Sequence, residues 1–493
     1  MRQDTKTRLI FGIKVQMLRK SLGLSFAELS EVSGLSISYL NEIEKGKKYP
    51  KEDKLALLAP ALNTSIEHLT SLVINKQLQP LVNILENDTL SMLPLEIFGI
   101  DVSKIIEIIA SSPAEVGAFI AALVEISKRY EMHEEGFYFA MLRAYQTLFD
   151  NYFEDLELQV DDFKRQFLNV NEVEVSVKRL SEVLRHDFKY KIDKSTIGLY
   201  AELKGIRSIF IQDKKRLLVN HALSENQERF IYAKEIAYKV LKIKERINTS
   251  AFSHAETFDQ AHNNFKTSYF AVALLLHRET LVKDMAEFFA LPQWTPSSLL
   301  AIMEKHKASP EMFFQRLTNL LPKFFNTQNI FFLRINNQPG SEKFLLTKEL
   351  HLYKPQRPYG QEINEHYCRR WLALSILKEL YAKQRANSQF NETLVGIQRS
   401  RYIGTTDEYL VLTLAKSGHP TPNMNISVSI GILINQETKN LIRWVEDEAI
   451  QRREVNQTCQ RCAVSDCNER IAAPLIIEKE NRAKRIQEIL NSL

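Results

Sequence analysis

Two serine and glycine pairs near the N-terminus constrain the fold of this chain more than any other feature. Ser25 precedes the apolar helical pattern FAELSEVS and Gly34 follows it, and Ser36 and Gly46 bracket ISYLNEIEK in the same way. A serine at the N-cap accepts a hydrogen bond from a free backbone N–H, and a glycine easily adopts the left-handed conformation that ends a helix. The spacing therefore predicts two short helices joined by a tight turn, within five short helices between residues 6 and 72.

The second helix of this pair has a core side and a free side. Two helices joined by a short turn form a helix-turn-helix, whose second helix enters the major groove of DNA. Leu40 and Ile43 are expected to face the core, which leaves Asn41 free to pair with adenine and the serines free to reach other base edges. Lysines after the helix end would meet phosphates. The predicted DNA-contacting residues are Ser36, Ile37, Ser38, Asn41, Lys45, Lys47 and Lys48.

The residue order SFAELSEVSGLSISYLNEIEKG resembles the XRE (Cro/C1-type) DNA-binding domain over about 65 residues. The positions where that family places its core and turn are matched by Ala27, Leu29, Val32, Gly34, Leu35, Leu40, Ile43, Glu44 and Gly46. Phe26 departs from the family, which often has a phosphate-contacting glutamine there. The alternative is a solvated lysine run on an unrelated helical domain.

Charge is distributed unevenly over the first third of the chain. Residues 1–50 carry a net charge of +4, whereas residues 81–162 carry −12 and read as helical, with Pro113 expected near the first turn of a new helix. The acidic stretch is either a solvated helical face or a surface for protein contacts. Helix-turn-helix proteins usually read two half-sites, so we expect a homodimer or a higher homo-oligomer.

Residues 175–243 read as a helix, two β-like stretches at 197–205 and 207–220, and a second helix. This order resembles the ImmA/IrrE-like metallopeptidase domain, in which a helix bears His-Glu-x-x-His. The matching positions here are Lys234, Glu235 and Tyr238, and a later ligand position holds Lys266. An ammonium repels zinc, so the resemblance implies a degenerate site without metal. Lys234, Tyr238 and Lys266 are then predicted to line a cleft for an anionic effector, and Glu235 to lie on a helix face, paired with Lys234 or Lys239.

Four cysteines are the remaining candidate site, in a C-terminal region that reads as α+β. Cys368 is expected on a helix, and Cys459, Cys462 and Cys467 form C-x2-C-x4-C in a loop. Four thiolates complete a site for zinc or for an iron–sulfur cluster. Nearby arginines are expected to lower the thiol pKa values. The alternative is that the thiols only pack.

The order of these segments, with YCRRWLAL and the terminal CQRCAVSDCNERIAAP, resembles the short-chain fatty-acyl-responsive transcriptional regulators over nearly the whole chain. The resemblance implies an acyl-CoA effector and a [4Fe–4S] cluster held by Cys368, Cys459, Cys462 and Cys467. Zinc is the second choice of metal. The alternatives to a regulator are a zinc-dependent ImmA/IrrE-type peptidase and an antitoxin-like protein that acts with a protein partner.

The predicted fold class is multidomain and mainly α. An all-α helix-turn-helix domain (1–73) is followed by an acidic helical segment (74–165), a degenerate ImmA/IrrE-like α+β domain (166–325) and a C-terminal α+β effector domain (326–493). No apolar run approaches the roughly 18 residues that span a bilayer, and four cysteines are too few for a secreted disulfide scaffold. We therefore expect a cytoplasmic protein. The helix-turn-helix predicts that it binds double-stranded DNA, and the degenerate metallopeptidase motif predicts that it has no enzymatic activity.

Overall fold

The computed structural model describes residues 3–71, 134–168, 175–250, 255–327, 329–352, 365–418 and 423–492. The chain divides into two compact units, one formed by Met1–Met141 with Ala255–Ala261 and the other by Leu142–His254 with His262–Leu493. The part of the acidic segment between residues 72 and 133, with the helices, Pro113 and dimer surface predicted there, lies outside the described residues. None of the described helices is long and apolar enough to cross a membrane.

The first unit begins with five helices, as predicted. They are α1 (Gln3–Ser21), α2 (Phe26–Ser33), α3 (Ile37–Glu44), α4 (Glu52–Ala61) and α5 (Ile66–Thr70). Their shared core includes Phe11, Val15, Leu29, Leu40 and Ile43.

The predicted caps set the ends of α2 and α3. The Ser25 hydroxyl accepts the Glu28 N–H at 3.2 Å, and the Glu28 carboxylate accepts the Ser25 N–H at 2.7 Å. Gly34 and Gly46 have φ angles of 68° and 65°, in the left-handed region that glycine adopts without steric cost. Sequence-local signals are therefore sufficient to define this pair of helices.

Two positions assigned to the core by the family resemblance are exposed. Val32 is 64% exposed and Ala27 also faces solvent, because α2 buries only Leu29 and Ser33.

Gly12 allows α1 to approach the end of α3. A Cβ atom there would lie 2.4 Å from the carbonyl oxygen of Ile43 and 2.8 Å from that of Glu44.

The second unit contains the helices that follow. α6 (Glu134–Leu148) runs from the first unit into the second, and residue 165, the predicted end of the acidic segment, falls within the next helix. The next helices in the chain are α7 (Glu154–Phe167), α8 (Val177–His186), α9 (Glu225–Val240), α10 (Phe258–Leu275), α11 (Arg278–Phe289), α12 (Pro296–Lys305) and α13 (Pro310–Phe325). Residues 258–261 of α10 belong to the first unit.

A small sheet lies between α8 and α10 in the chain. Its strands are β1 (Lys191–Asp193), β2 (Ser208–Ile211), β3 (Arg216–Val219) and β4 (Thr249–Ser250), in the order β1-β3-β2-β4. The hairpin β2–β3 confirms the strands predicted at 207–220. The strand predicted at 197–205 is wrong: two short 3-10 helices occur there, because the Asp193 carboxylate accepts the N–H groups of Ser195 and Thr196 and turns the chain.

The C-terminal region is built on a six-stranded sheet. Its strands are β5 (Ile330–Asn337), β6 (Phe344–His351), β7 (Leu394–Tyr402), β8 (Glu408–Ser417), β9 (Asn425–Leu433) and β10 (Arg452–Val455), in the order β10-β7-β8-β9-β5-β6. The β10–β7 pair is parallel and the others are antiparallel. The remaining helices are α14 (Leu372–Ala386), α15 (Gln436–Leu441) and α16 (Leu475–Ser492).

One hydrophobic core joins residues on both sides of position 325. It includes Phe313 and Leu320 of α13, Ile330 of β5, Leu412 of β8 and the fully buried Trp444. The α+β character predicted for the C-terminal region is present in the described residues.

Candidate functional site

The exposed side of α3 carries the side chains that were predicted to read bases. Leu40 and Ile43 are fully buried, as expected. Ile37 is 50% exposed, Ser38 is exposed and Asn41 is partly exposed. The Ser36 hydroxyl accepts the Tyr39 N–H at 3.3 Å, so this side chain caps the helix. Contact of these residues with DNA stays a prediction.

The three lysines after α3 are exposed, but they do not have the same surroundings. Lys48 forms an ion pair with Glu42 at 2.7 Å, and this carboxylate raises the pKa of the Lys48 ammonium. Lys45 and Lys47 show no such ion pair among the described residues, so they are better placed to meet phosphates than Lys48.

A buried ion pair that the sequence reasoning missed fixes α3 against α1. Arg19 donates to both oxygens of Glu44, at 2.6 Å and 2.9 Å, and to the Leu24 carbonyl at 2.9 Å. The hydrogen bond to Glu44 raises the pKa of Arg19. The Phe26 ring lies 4.1 Å from the guanidinium carbon, so the family's phosphate-contacting position is used here for an internal cation–π contact. Glu44 was assigned to the family core, but nothing in the local pattern identifies its partner.

The degenerate metallopeptidase motif lies on α9, and an arginine neutralises its glutamate. Arg246 donates to the two oxygens of Glu235 at 2.6 Å and 2.8 Å, and the Tyr190 hydroxyl donates to the same carboxylate at 3.2 Å. The predicted pairing of Glu235 with Lys234 or Lys239 is therefore wrong. Glu235 is 4% exposed and faces inward. Its partner, Arg246, comes from the loop after α9.

Lys234 and Tyr238 line one small cavity, and Lys266 is not among the residues that line it; binding of an effector by these three residues stays a prediction. The Lys234 ammonium donates to Asn264 at 2.5 Å. Lys266 lies one turn beyond His262 on α10. Burial, with a smaller contribution from the charge of Lys266, lowers the pKa of the His262 imidazole to about 4. The cavity volume is about 10 Å³, which is the space of about one water molecule. An entire acyl-CoA molecule would require the cavity to widen.

The residues of this cavity do not fit a catalytic zinc ion. Lys234 takes one ligand position as an ammonium, and both oxygens of Glu235 are already bonded to a guanidinium. A zinc-bound water would have no free carboxylate base here.

Cys368 lies before α14, which begins at Leu372. The prediction that Cys368 lies on a helix is therefore wrong. Its N–H donates to Gln457 at 3.0 Å, and the Cys459 N–H donates to His366 at 2.9 Å, around an isolated bridge between Tyr367 and Thr458. These backbone contacts bring the remote cysteine to the terminal loop.

The environment of the Cys368 sulfur was predicted incorrectly. Burial raises the pKa of this thiol, the nearby Cys459 and Cys462 raise it further, and backbone N–H groups of Asn456 and Arg370 oppose the rise. The pKa of Cys368 is raised in spite of the neighbouring arginines, two of which are bound elsewhere. Arg461 pairs with Glu365 at 2.7 Å. Arg470 donates to the carbonyls of Cys459 and Cys462 at 2.8 Å and 2.9 Å and so clamps the loop.

Two observations bear on whether the thiols could hold a metal. Arg369 is 6% exposed, and its Nε atom, buried beside Cys368 and Cys459, has no hydrogen-bond partner among the described residues. Backbone N–H groups of Asn456 and Arg370 point to the Cys368 sulfur, and both features favour a thiolate. However, among the residues that the structure describes, no group of three or more His, Cys, Asp or Glu side chains is arranged to hold a metal ion. The chemistry of the donor set fits a metal, and the arrangement of the side chains would have to tighten around it.

Two family models match parts of the chain. Residues 15–69 match the helix-turn-helix model, and residues 197–318 match the model of the IrrE N-terminal-like domain. No curated protein matches the chain. A solved structure, "Mycobacterium tuberculosis transcriptional regulator", aligns over 68% of this chain and 93% of its own length with 15% identity and a TM-score of 0.47. That likeness is too low to carry an argument.

These matches identify two domains of the chain. The N-terminal one is a DNA-binding helix-turn-helix domain of the XRE type. The second is an IrrE-like domain of the peptidase M78 type, and the predicted multidomain fold class is confirmed.

Proposed function

We propose that this protein is a sequence-specific transcriptional regulator controlled by a short-chain acyl-CoA or a related metabolite. The observation that carries the DNA-binding part is the exposed side of α3, where Ile37, Ser38 and Asn41 are presented while Leu40 and Ile43 anchor the helix. Lys45 and Lys47 would add salt-dependent phosphate contacts. The protein would bind as a homodimer, because helix-turn-helix proteins read two half-sites.

The IrrE-like domain acts in this proposal as a binding domain without peptidase activity. The Glu235–Arg246 pair and the Lys234 ammonium take the place of a metal and its catalytic base. The same cations suit the negatively charged groups of an acyl-CoA. The resemblance to acyl-responsive regulators supports this choice of effector.

Cys368, Cys459, Cys462 and Cys467 are the proposed metal ligands, with a [4Fe–4S] cluster as the first choice and zinc as the second. Such a group, when bound, would join the segment before α14 to the terminal loop. The buried Arg369 guanidinium would offset part of the negative charge of four thiolates, and Arg470 would hold the loop carbonyls in place.

The peptidase alternative is kept because the matched family model is of the peptidase M78 type. It predicts stoichiometric zinc that survives the replacement of all four cysteines. Protein without zinc after that replacement would exclude it.

The direct test of the regulatory proposal is a DNA-binding titration with and without effector. DNA sites would be selected from a random library with the full-length protein, and affinity would be measured by fluorescence anisotropy in the presence of acetyl-, propionyl- or butyryl-CoA. An allosteric effector typically changes affinity by about 5- to 150-fold. Specific binding that no acyl-CoA changes would refute acyl-CoA control, and the absence of any selected site would refute the regulator.

A further inference from the structure

The small cavity beside α9 gathers more positive charge than the nearby carboxylates neutralise. Lys234 and Arg246 line it. Burial, together with the nearby Arg246, Lys348 and Arg207, lowers the pKa of Lys234 to about 8, while Glu235 opposes the shift. Several cations therefore act on one partly buried ammonium.

The carboxylates near these cations are already engaged. Both oxygens of Glu235 accept from Arg246. Glu311 pairs with Lys348 at 2.5 Å and with Arg334 at 3.2 Å. Among the described residues, neither Lys234 nor Arg207 forms an ion pair with a carboxylate. The group consists of five cations and two carboxylates, so it retains a local excess of positive charge.

Buried donor atoms without partners accompany this charge. Arg246 is 7% exposed in its side chain and stacks 3.8 Å from the Tyr238 ring centroid, and its buried Nε atom has no hydrogen-bond partner among the described residues. The buried Nε atom of Arg207, which does not itself line the cavity, likewise has no partner in the described part of the chain. A buried donor without an acceptor is unfavourable, so a site of this kind favours an acceptor from outside.

The lining of the cavity can orient such an acceptor. Ser208, at the start of β2, and Ser250, at the end of β4, line the cavity opposite α9. Its volume of about 10 Å³ admits one atom of the size of a water oxygen. A multiatom anion could therefore insert one oxygen while the rest of the molecule stayed at the opening.

We infer that this cavity binds one oxygen of a carboxylate or phosphate group, held mainly by Lys234 and Arg246. A charge-assisted hydrogen bond from the ammonium and donors on the guanidinium would supply the affinity. The inference rests on the proposed function in one respect, namely that this oxyanion would be the anchoring group of the effector. The anion site itself can be tested without DNA or effector.

The test compares the full-length protein with Lys234→Met and with a control on the same helix, Lys239→Met. Lys239 does not line the cavity, and its ammonium lies 5.3 Å from the centroid of the Tyr190 ring. Calorimetric titrations at constant ionic strength would use inorganic phosphate, acetate and coenzyme A as separate probes. Thermal unfolding of each variant, together with the polar variant Lys234→Gln, would show that the fold is retained.

Phosphate or acetate should bind the wild-type protein, and both Lys234 variants should weaken that binding about tenfold or more, whereas Lys239→Met should stay within about twofold. Acetate binding alone would identify a carboxylate. If the Lys234 variants lose phosphate binding and coenzyme A binding together, the group held in the cavity is a phosphate of a larger ligand. The inference is overturned if the wild-type protein binds no probe, or if folded Lys234 variants bind as the wild type does. An unchanged effect of acyl-CoA on DNA binding in Lys234→Met would overturn the anchoring role and leave the proposed function standing.

Discussion

Replacing Glu44 by alanine tests whether the buried ion pair positions the recognition helix. Glu44 is 5% exposed, and the variant leaves the Arg19 guanidinium, in a side chain 10% exposed, with only the Leu24 carbonyl and the Phe26 ring. Breaking a buried pair by removing one partner costs about 3–5 kcal/mol. Because Arg19 keeps these two contacts, we expect about 3 kcal/mol, at the lower end of that range.

Hydrogen exchange of the full-length protein, measured on peptides from α1 to α3, is the suitable assay. The three tryptophans, Trp294, Trp371 and Trp444, all lie in the second unit, so their fluorescence does not report on this domain. A loss of about 3 kcal/mol corresponds to exchange that is roughly 150-fold faster in the protected amides. The control is Glu42→Ala, which removes an exposed pair with Lys48 and should change the exchange rates little. Equal exchange rates in the two variants would refute the structural role of Glu44.

Three further predictions address other parts of the molecule. Gly12→Ala should destabilise the N-terminal domain by about 1–3 kcal/mol in the same exchange assay, because the added Cβ would meet the carbonyl oxygens of Ile43 and Glu44; unchanged exchange would contradict this. Burial lowers the pKa of His351 to about 4, so stability should fall as the pH drops from about 6.5 toward 4. The assay is urea unfolding followed by tryptophan fluorescence at about pH 7.5 and pH 5. Between these pH values the free energy of unfolding of His351→Gln should fall by about 1–2 kcal/mol less than that of the wild type, whereas the exposed control His186→Gln should behave as the wild type. Equal losses in His351→Gln and the wild type would contradict this. Iron, sulfide and zinc measured per chain after anaerobic purification should be present in the wild type and largely lost in Cys368→Ser; wild-type protein without metal would contradict the cysteine site.

The helix-turn-helix could be predicted from the sequence because its signals are local. Ser25, Gly34, Ser36 and Gly46 act within one turn of their own positions, and the structure has each in the predicted role. The partner of Glu44 could not be predicted in the same way, since it lies 25 residues away on another helix. Pairings of this kind depend on how helices cross.

The second unit shows where local patterns mislead. The run around Cys368 has a helical composition, but its backbone is tied to residues about 90 positions later, and the helix begins only at Leu372. The family motif grouped Lys234 and Tyr238 with Lys266, which does not line their cavity, and gave no indication of Arg246, which does. Arg246 comes from an irregular loop after α9, where sequence periodicity gives no information about side-chain direction.

The predicted metal site shows a similar limit. Spacing identified three cysteines of one loop, and the structure adds that Cys459 and Cys462 influence the remote Cys368. Whether four sulfurs close around one ion depends on distances of a few tenths of an ångström. Such distances are set by the packed environment and by the ion itself, and no sequence pattern encodes them.

We propose that α3 reads DNA bases, and the decisive measurement is the affinity of Asn41→Ala for selected and for random DNA. If the partly exposed Asn41 side chain contacts a base, its loss should cost about 1–3 kcal/mol on the selected site and little on random DNA. Lys47→Ala, at an exposed lysine after the helix, should weaken both complexes and reduce the salt dependence by about one unit. Equal losses on selected and random DNA from Asn41→Ala would contradict the claim.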